Sequence, residues 1–102
     1  LCYDISHDRL WPAAPPGLLS RHGGRLAAVH LSDTDGRLDK HWLPGDGVVD
    51  WTAFAAALPR DFAGPLMLEV MPYKTPELSA EAFLAAAYSR VCWLDILIRE
   101  HT

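Results

Sequence analysis

No run of lysine or arginine occurs in this 102-residue chain, whose 9 basic residues lie scattered among 13 acidic ones for a net charge of −4. The electrostatic footprint that nucleic acids and anionic membranes call for is therefore missing, and neither is expected as a partner. Cysteine is scarce too. Cys2 and Cys92 stand far apart and match no zinc or redox spacing, so they read as free thiols of a reducing compartment. No stretch has the length and apolarity of a signal peptide or a membrane span, which makes the cytoplasm the expected location. An internal sequence repeat is also absent. What the chain does have is apolar bulk: 50% of its residues are hydrophobic, which excludes a disordered or fibrous polypeptide and fits one small domain over residues 1–102. It starts with Leu1, already part of the first apparent strand, so it reads as a piece of a longer protein.

Leu1–Asp4 reads as a short strand, and Pro15, Pro16 and Gly17 punctuate the connection after it. A brief helix is expected over Leu18–His22, ended by Gly23 and Gly24, followed by a second strand over Arg25–Leu31. Residues 32–49 carry no sustained periodicity and are rich in Asp, Gly and Pro; a loop of that length in a compact domain is usually functional or disordered. Asp50 then caps a helix through about Leu58, with Trp51, Phe54, Ala55 and Leu58 at helical spacing. Gly64 and Pro65 lead into a third strand, Leu66–Met71. Ser79 caps a long helix to about Arg99, with Phe83, Leu84, Ala87, Val91, Leu94 and Ile98 on a broad apolar face. Alternating strands and helices call for parallel strands joined by crossovers, an α/β fold.

Side-chain alternation places the polar groups. Asp4 shares a face with Cys2, His30 with Leu26 and Ala28, and Glu69 with Met67 and Met71. Each strand thus has one wholly apolar face for a helix layer and one face with an ionisable residue near its C-terminal end, the layout of a (β/α) barrel. Carboxylate and imidazole together suit a divalent metal. Glu69, mid-run in LMLEVM, would lose several kcal/mol of hydration unless a cation compensated it. Asp4 and His7 leave the first strand together. Asp39 and His41 lie two apart in the long loop, where extended backbone would point them the same way, and the LPGDG run after them marks a shaped turn. Asp33 and Asp35 read as turn formers, His22 and His101 as surface residues.

YDISH, VHLSD, DKHWLPGDGVVDW and LEV, in this order and spacing, resemble the xylose isomerase-like TIM barrels, most nearly their sugar phosphate isomerase/epimerase group. The resemblance implies the last three βα units, strands six to eight, of an eight-stranded barrel. It implies one divalent metal (Mn, Mg, Co or Zn) held by Asp4, His30 and Glu69 with a glutamate from an earlier strand that has no counterpart here. His7 matches a histidine that contacts substrate or a second metal.

Two activities follow from that resemblance. One is isomerisation or epimerisation of a sugar or polyol through an enediolate, with Glu69 as ligand and base and His7 beside the substrate; dehydratases of cyclic polyols belong to the same group. The other is an apurinic endonuclease-like, three-zinc phosphodiesterase, in which Asp4, His7, His30, Asp39, His41 and Glu69 are all ligands. The acidic balance and the HLSD sequence stand against the second. A third expectation is not catalytic. Three strands cannot close a barrel, so Met67, Met71, Trp93, Ile96 and Leu97 would associate with another copy or with the rest of the barrel.

Overall fold

The computed structural model of the chain describes residues 1–10 and 17–101, so the reading at Pro15 and Pro16 lies outside the described residues. Its centre is a parallel sheet of β1 (Cys2–Asp4), β2 (Ala28–Leu31) and β3 (Leu66–Leu68), in that spatial order. Helix α1 (Ile5–Arg9) follows β1 directly. Helix α2 (Gly17–His22) and a 3₁₀ turn over Gly23–Arg25 lead into β2. Helix α3 (Trp51–Ala57) connects β2 to β3, and α4 (Ala80–Glu100) closes the chain.

Val29 and Leu31 of β2 and Tyr3 of β1 point into a core with Ile5, Leu19, Trp51, Phe54, Leu58 and Leu94. The opposite face of the sheet carries Asp4, His30 and Met67, of which the first two are partly buried and Met67 is exposed. Helix α3 forms as expected: the Asp50 carboxylate accepts from Ala53 N, and Trp51, Phe54, Ala55 and Leu58 are all buried. Ser79 caps α4 in the same way through Ala82 N. The apolar face of α4 is narrower than its sequence implies: Ala87 and Leu94 are buried, whereas Leu84 and Val91 are exposed.

Three differences from the sequence reading have physical reasons. Helix α1 is an addition, started by Asp4, whose carboxylate accepts from His7 N. The third strand stops at Leu68 rather than Met71 because its partner turns away: Ser32 and Asp33 leave β2, and Asp33 pairs with Trp42 instead. Beyond Leu68, Glu69 N still donates to Leu31 O, and Met71 N donates to His41 O. The second strand begins at Ala28, which pairs with Cys2 near the start of β1; Ala27 N donates to Leu1 O just before it.

Asp33 is the largest correction. It is not a surface turn former but fully buried, and it organises the long loop. Oδ1 accepts from Thr34 N and Val49 N, and Oδ2 from Gly45 N and the Trp51 indole Nε1, all at 2.8–3.0 Å. Four donors at this distance satisfy both oxygens of the buried carboxylate. Gly47 passes so close that a Cβ there would collide with the Thr34 carbonyl and press on the Asp33 carboxylate. Asp35 does form a turn, accepting from Arg37 N and Leu38 N, and these amides hold its carboxyl below the usual range.

Replacing Asp33 by Ala strands the buried indole and three amides. An Asp33→Ala variant should lose on the order of 3 kcal/mol or more of stability in urea unfolding. Asp35→Ala, at an exposed turn, should shift the midpoint far less; equal losses for the two would contradict the role given to Asp33.

Candidate metal centre

Strand register builds the site. Asp4 of β1 lies opposite His30 of β2, and His30 opposite Met67 of β3, so neighbouring strands bring the first two side chains together on the open face. Glu69 stands two residues beyond Met67 on that same face. Its Oε2 lies 3.0 Å from His30 Nδ1. One potential ligand atom from each of Asp4, His30 and Glu69 falls within 4.8 Å of the others. Two carboxylates and an imidazole at that spacing match the donor preferences of a divalent ion.

The Asp4 carboxylate is held from below. Its Oδ1 accepts from Ser6 Oγ at 2.9 Å and from His7 N at 3.0 Å. Glu69 is about half exposed, with 51% of its side chain accessible, so the burial expected of it in LMLEVM is not found and the desolvation argument for a cation falls away. Among the described residues, the ion pairs of Asp4, Asp39 and Glu69 are all with histidines, none with lysine or arginine.

His7, Asp39 and His41 form a second group beside the first. Asp39 Oδ2 lies 3.0 Å from His7 Nε2 and 3.2 Å from His41 Nε2, while His7 Nδ1 is 3.5 Å from Asp4 Oδ2. The convergence is not that of extended backbone: His41 has φ 53°, in the left-handed region, a strained state for any residue but glycine. His41 Nδ1 lies 3.0 Å from the Glu69 carbonyl, which only accepts. Nδ1 therefore carries the proton, and Nε2 of a neutral ring would face Asp39 lone pair to lone pair. His22 is exposed as expected; His101 is partly buried, its Nδ1 2.8 Å from Leu97 O.

The loop bearing Asp39 and His41 is tied down from outside. Arg90 of α4 donates to Pro44 O and pairs with Asp46 at 2.7 Å. Lys74 donates to Asp46 O and sits 4.2 Å from the centre of the Trp42 ring. The sequence reading missed Ser6, Ser32 and Asp33. The signal for Asp33 was the downstream GDGVVDW segment, whose Trp51 needs an acceptor once buried.

A parallel strand–helix array with polar groups gathered at the C-terminal strand ends defines part of a TIM-type barrel. The family description "xylose isomerase-like TIM barrel" matches residues 1–88, and the chain belongs to that family. It is 35% identical over 102 residues to the uncharacterized protein y4fM of Sinorhizobium fredii, covering 96% of this chain and 32% of that protein. It also matches the solved structure of the TTHB071 protein from Thermus thermophilus, soaked with ZnCl2, with a TM-score of 0.60 at 29% identity. That match covers 97% of this chain and 34% of the Thermus protein. The chain thus spans about a third of the length of both relatives. No described helix is long and apolar enough to cross a membrane.

The Asp39 contact raises the His7 pKa above the ordinary histidine value, with Asp4 adding to it. Stabilisation from this pair is complete below the unfolded-state pKa and disappears as pH rises through the higher folded-state value. In metal-free protein, the His7 ring should titrate by NMR above a free histidine, and Asp39→Asn should bring the midpoint down. An unchanged midpoint in that variant would show that the pair does not form.

Proposed function

We infer that this chain is the carboxyl-terminal part, strands six to eight, of a metal-dependent isomerase or epimerase acting on a sugar or polyol. The observation that carries the reading is the convergence of Asp4, His30 and Glu69 at three neighbouring strand ends, with only histidines to pair the carboxylates among the described residues. These three residues would hold the ion, and a further ligand would come from a strand outside this chain. A divalent metal bound there supplies Lewis-acid polarisation of a substrate oxygen. Mn, Mg, Co and Zn all suit the donor set, and the zinc-soaked Thermus relative keeps zinc among them.

The remaining chemistry belongs to the protein. Oε2 of Glu69 faces His30, which leaves Oε1 to take a proton from the carbon next to a substrate carbonyl. His7, exposed and backed by Asp39, would hydrogen-bond a substrate hydroxyl and orient it. Its proton is held by the carboxylate behind it, so it presents a donor over a wider pH range than a free histidine.

The rest of the barrel would cover the open face and both sheet edges. Met67, Met71, Trp93 and Ile96 are exposed, as a surface awaiting that cover would be, whereas Leu97 packs partly against the core. A second copy of the chain is the other occupant. In sedimentation of the isolated chain, either cover predicts self-association, and a cooperative monomer would contradict both.

One observation favours a second reading. His7, Asp39 and His41 share a carboxylate oxygen in an arrangement that also suits metal ligation, as in a three-zinc phosphodiesterase of the apurinic endonuclease type. Metal analysis and turnover separate the two. The isomerase reading predicts a single tightly held ion per chain, and solvent deuterium entering an aldose, ketose or cyclic polyol next to its carbonyl. Glu69→Gln should slow that exchange by roughly 10²-fold or more. Three retained zincs with cleavage of an abasic-site DNA duplex would sink it.

A further inference from the structure

Two buried serines behind the site have no part in the core and none in the chemistry above. Ser6 is fully buried and Ser32 is 2% exposed. Ser32 Oγ donates to Ser6 Oγ at 2.9 Å, and Ser6 Oγ donates to Asp4 Oδ1 at 2.9 Å. The order of donation is fixed by its end: an ionised carboxylate only accepts, so each hydroxyl must point toward Asp4. With His7 N on the same oxygen at 3.0 Å, Oδ1 is saturated, whereas Oδ2 meets only the exposed His7 ring, Nδ1 at 3.5 Å.

We propose that Ser32 and Ser6 form a positioning relay that locks the Asp4 carboxylate in the orientation a divalent cation requires. This inference rests on the reading of Asp4, His30 and Glu69 as a metal site. The relay joins the ends of the two strands that supply Asp4 and His30. Ser32 follows the last residue of β2, and Ser6 lies in the first turn of α1 after β1. It therefore fixes one ligand relative to the strand that carries the next.

Burying two hydroxyls brings little net stability, since a hydrogen bond within the protein replaces one to water. Alanine at position 32 leaves no hydroxyl to satisfy there, whereas alanine at position 6 also takes away the acceptor of the buried Ser32 hydroxyl. What the serines add is direction: without Ser6, the carboxylate keeps the His7 amide and the longer contact of Oδ2 with the exposed His7 ring, and is less firmly held against rotation about its Cβ–Cγ bond. Partners that orient a ligand in this way typically carry about 10–100-fold in metal affinity.

The test uses the protein at its natural length, with Mn²⁺ alone as probe, titrated calorimetrically well below the melting temperature of each variant. Ser6→Ala should weaken Mn²⁺ binding about 10-fold, and Ser32→Ala by less, since the Ser6–Asp4 bond survives. The double variant should bind no worse than Ser6→Ala, because the two hydroxyls act in series. In Co²⁺-loaded protein, the visible ligand-field spectrum should change in Ser6→Ala, a readout that a purely structural loss would leave alone. If Ser6→Ala does not fold, Ser32→Ala carries the test. Binding within twofold of the starting protein in the serine variants, with Asp4→Ala abolishing it, overturns the relay and leaves the metal site standing. Unchanged binding in Asp4→Ala overturns the metal site and the relay with it.

Discussion

A single buried carboxylate, that of Asp33, sets the shape of everything above the sheet. It sits just beyond the end of β2 and gathers the amides of Thr34, Gly45 and Val49 with the indole of Trp51. A charge taken out of water is costly, and its compensation here is four neutral donors drawn from a stretch of 18 positions. The loop has little freedom left once those bonds are made. Asp39 and His41 are carried to the strand ends as a consequence, not by any strand of their own. Arg90 and Lys74 then fasten the same loop to α4 and to the segment after β3.

Asp4 shows the same economy at smaller scale. One carboxylate starts α1 through the His7 amide, receives the Ser6 hydroxyl, and faces His30 across the sheet. Because α1 begins immediately after Asp4, His7 is turned back over the site within one helical turn, where Asp39 meets it. The polar crown has two runs, Glu69 to His30 and Asp4 to His7 to Asp39 to His41, and Asp4 and His30 bring them within 4.8 Å of each other. Carboxylates and imidazoles alternate along each run, an arrangement of donors that suits cations.

The parts legible in the sequence were those set by periodicity and caps. Strand alternation put Asp4, His30 and Glu69 on one face, and the structure brings them within 4.8 Å. Asp50 and Ser79 marked their helices because a side chain three residues before an unpaired amide is a local signal. Asp33 gave no local signal: its partners lie 12, 16 and 18 positions downstream, apart from Thr34, and only the folded loop brings them near. The strand limits were misjudged for a related reason. A strand ends where its neighbour leaves it, and Ser32 and Asp33 depart from β2 to bond within the loop. Helix α1 was masked by its own cap, since Asp4 reads as the end of a strand and as a ligand before it reads as the start of a helix.

The central claim is that Asp4, His30 and Glu69 bind one divalent cation together. Diffraction at the manganese absorption edge, from crystals of the natural-length protein grown with Mn²⁺, addresses it directly. An anomalous peak in contact with all three side chains is expected, at about 2.0–2.2 Å from their donor atoms. A peak confined to His7, Asp39 and His41, or none on the sheet's open face, would contradict it.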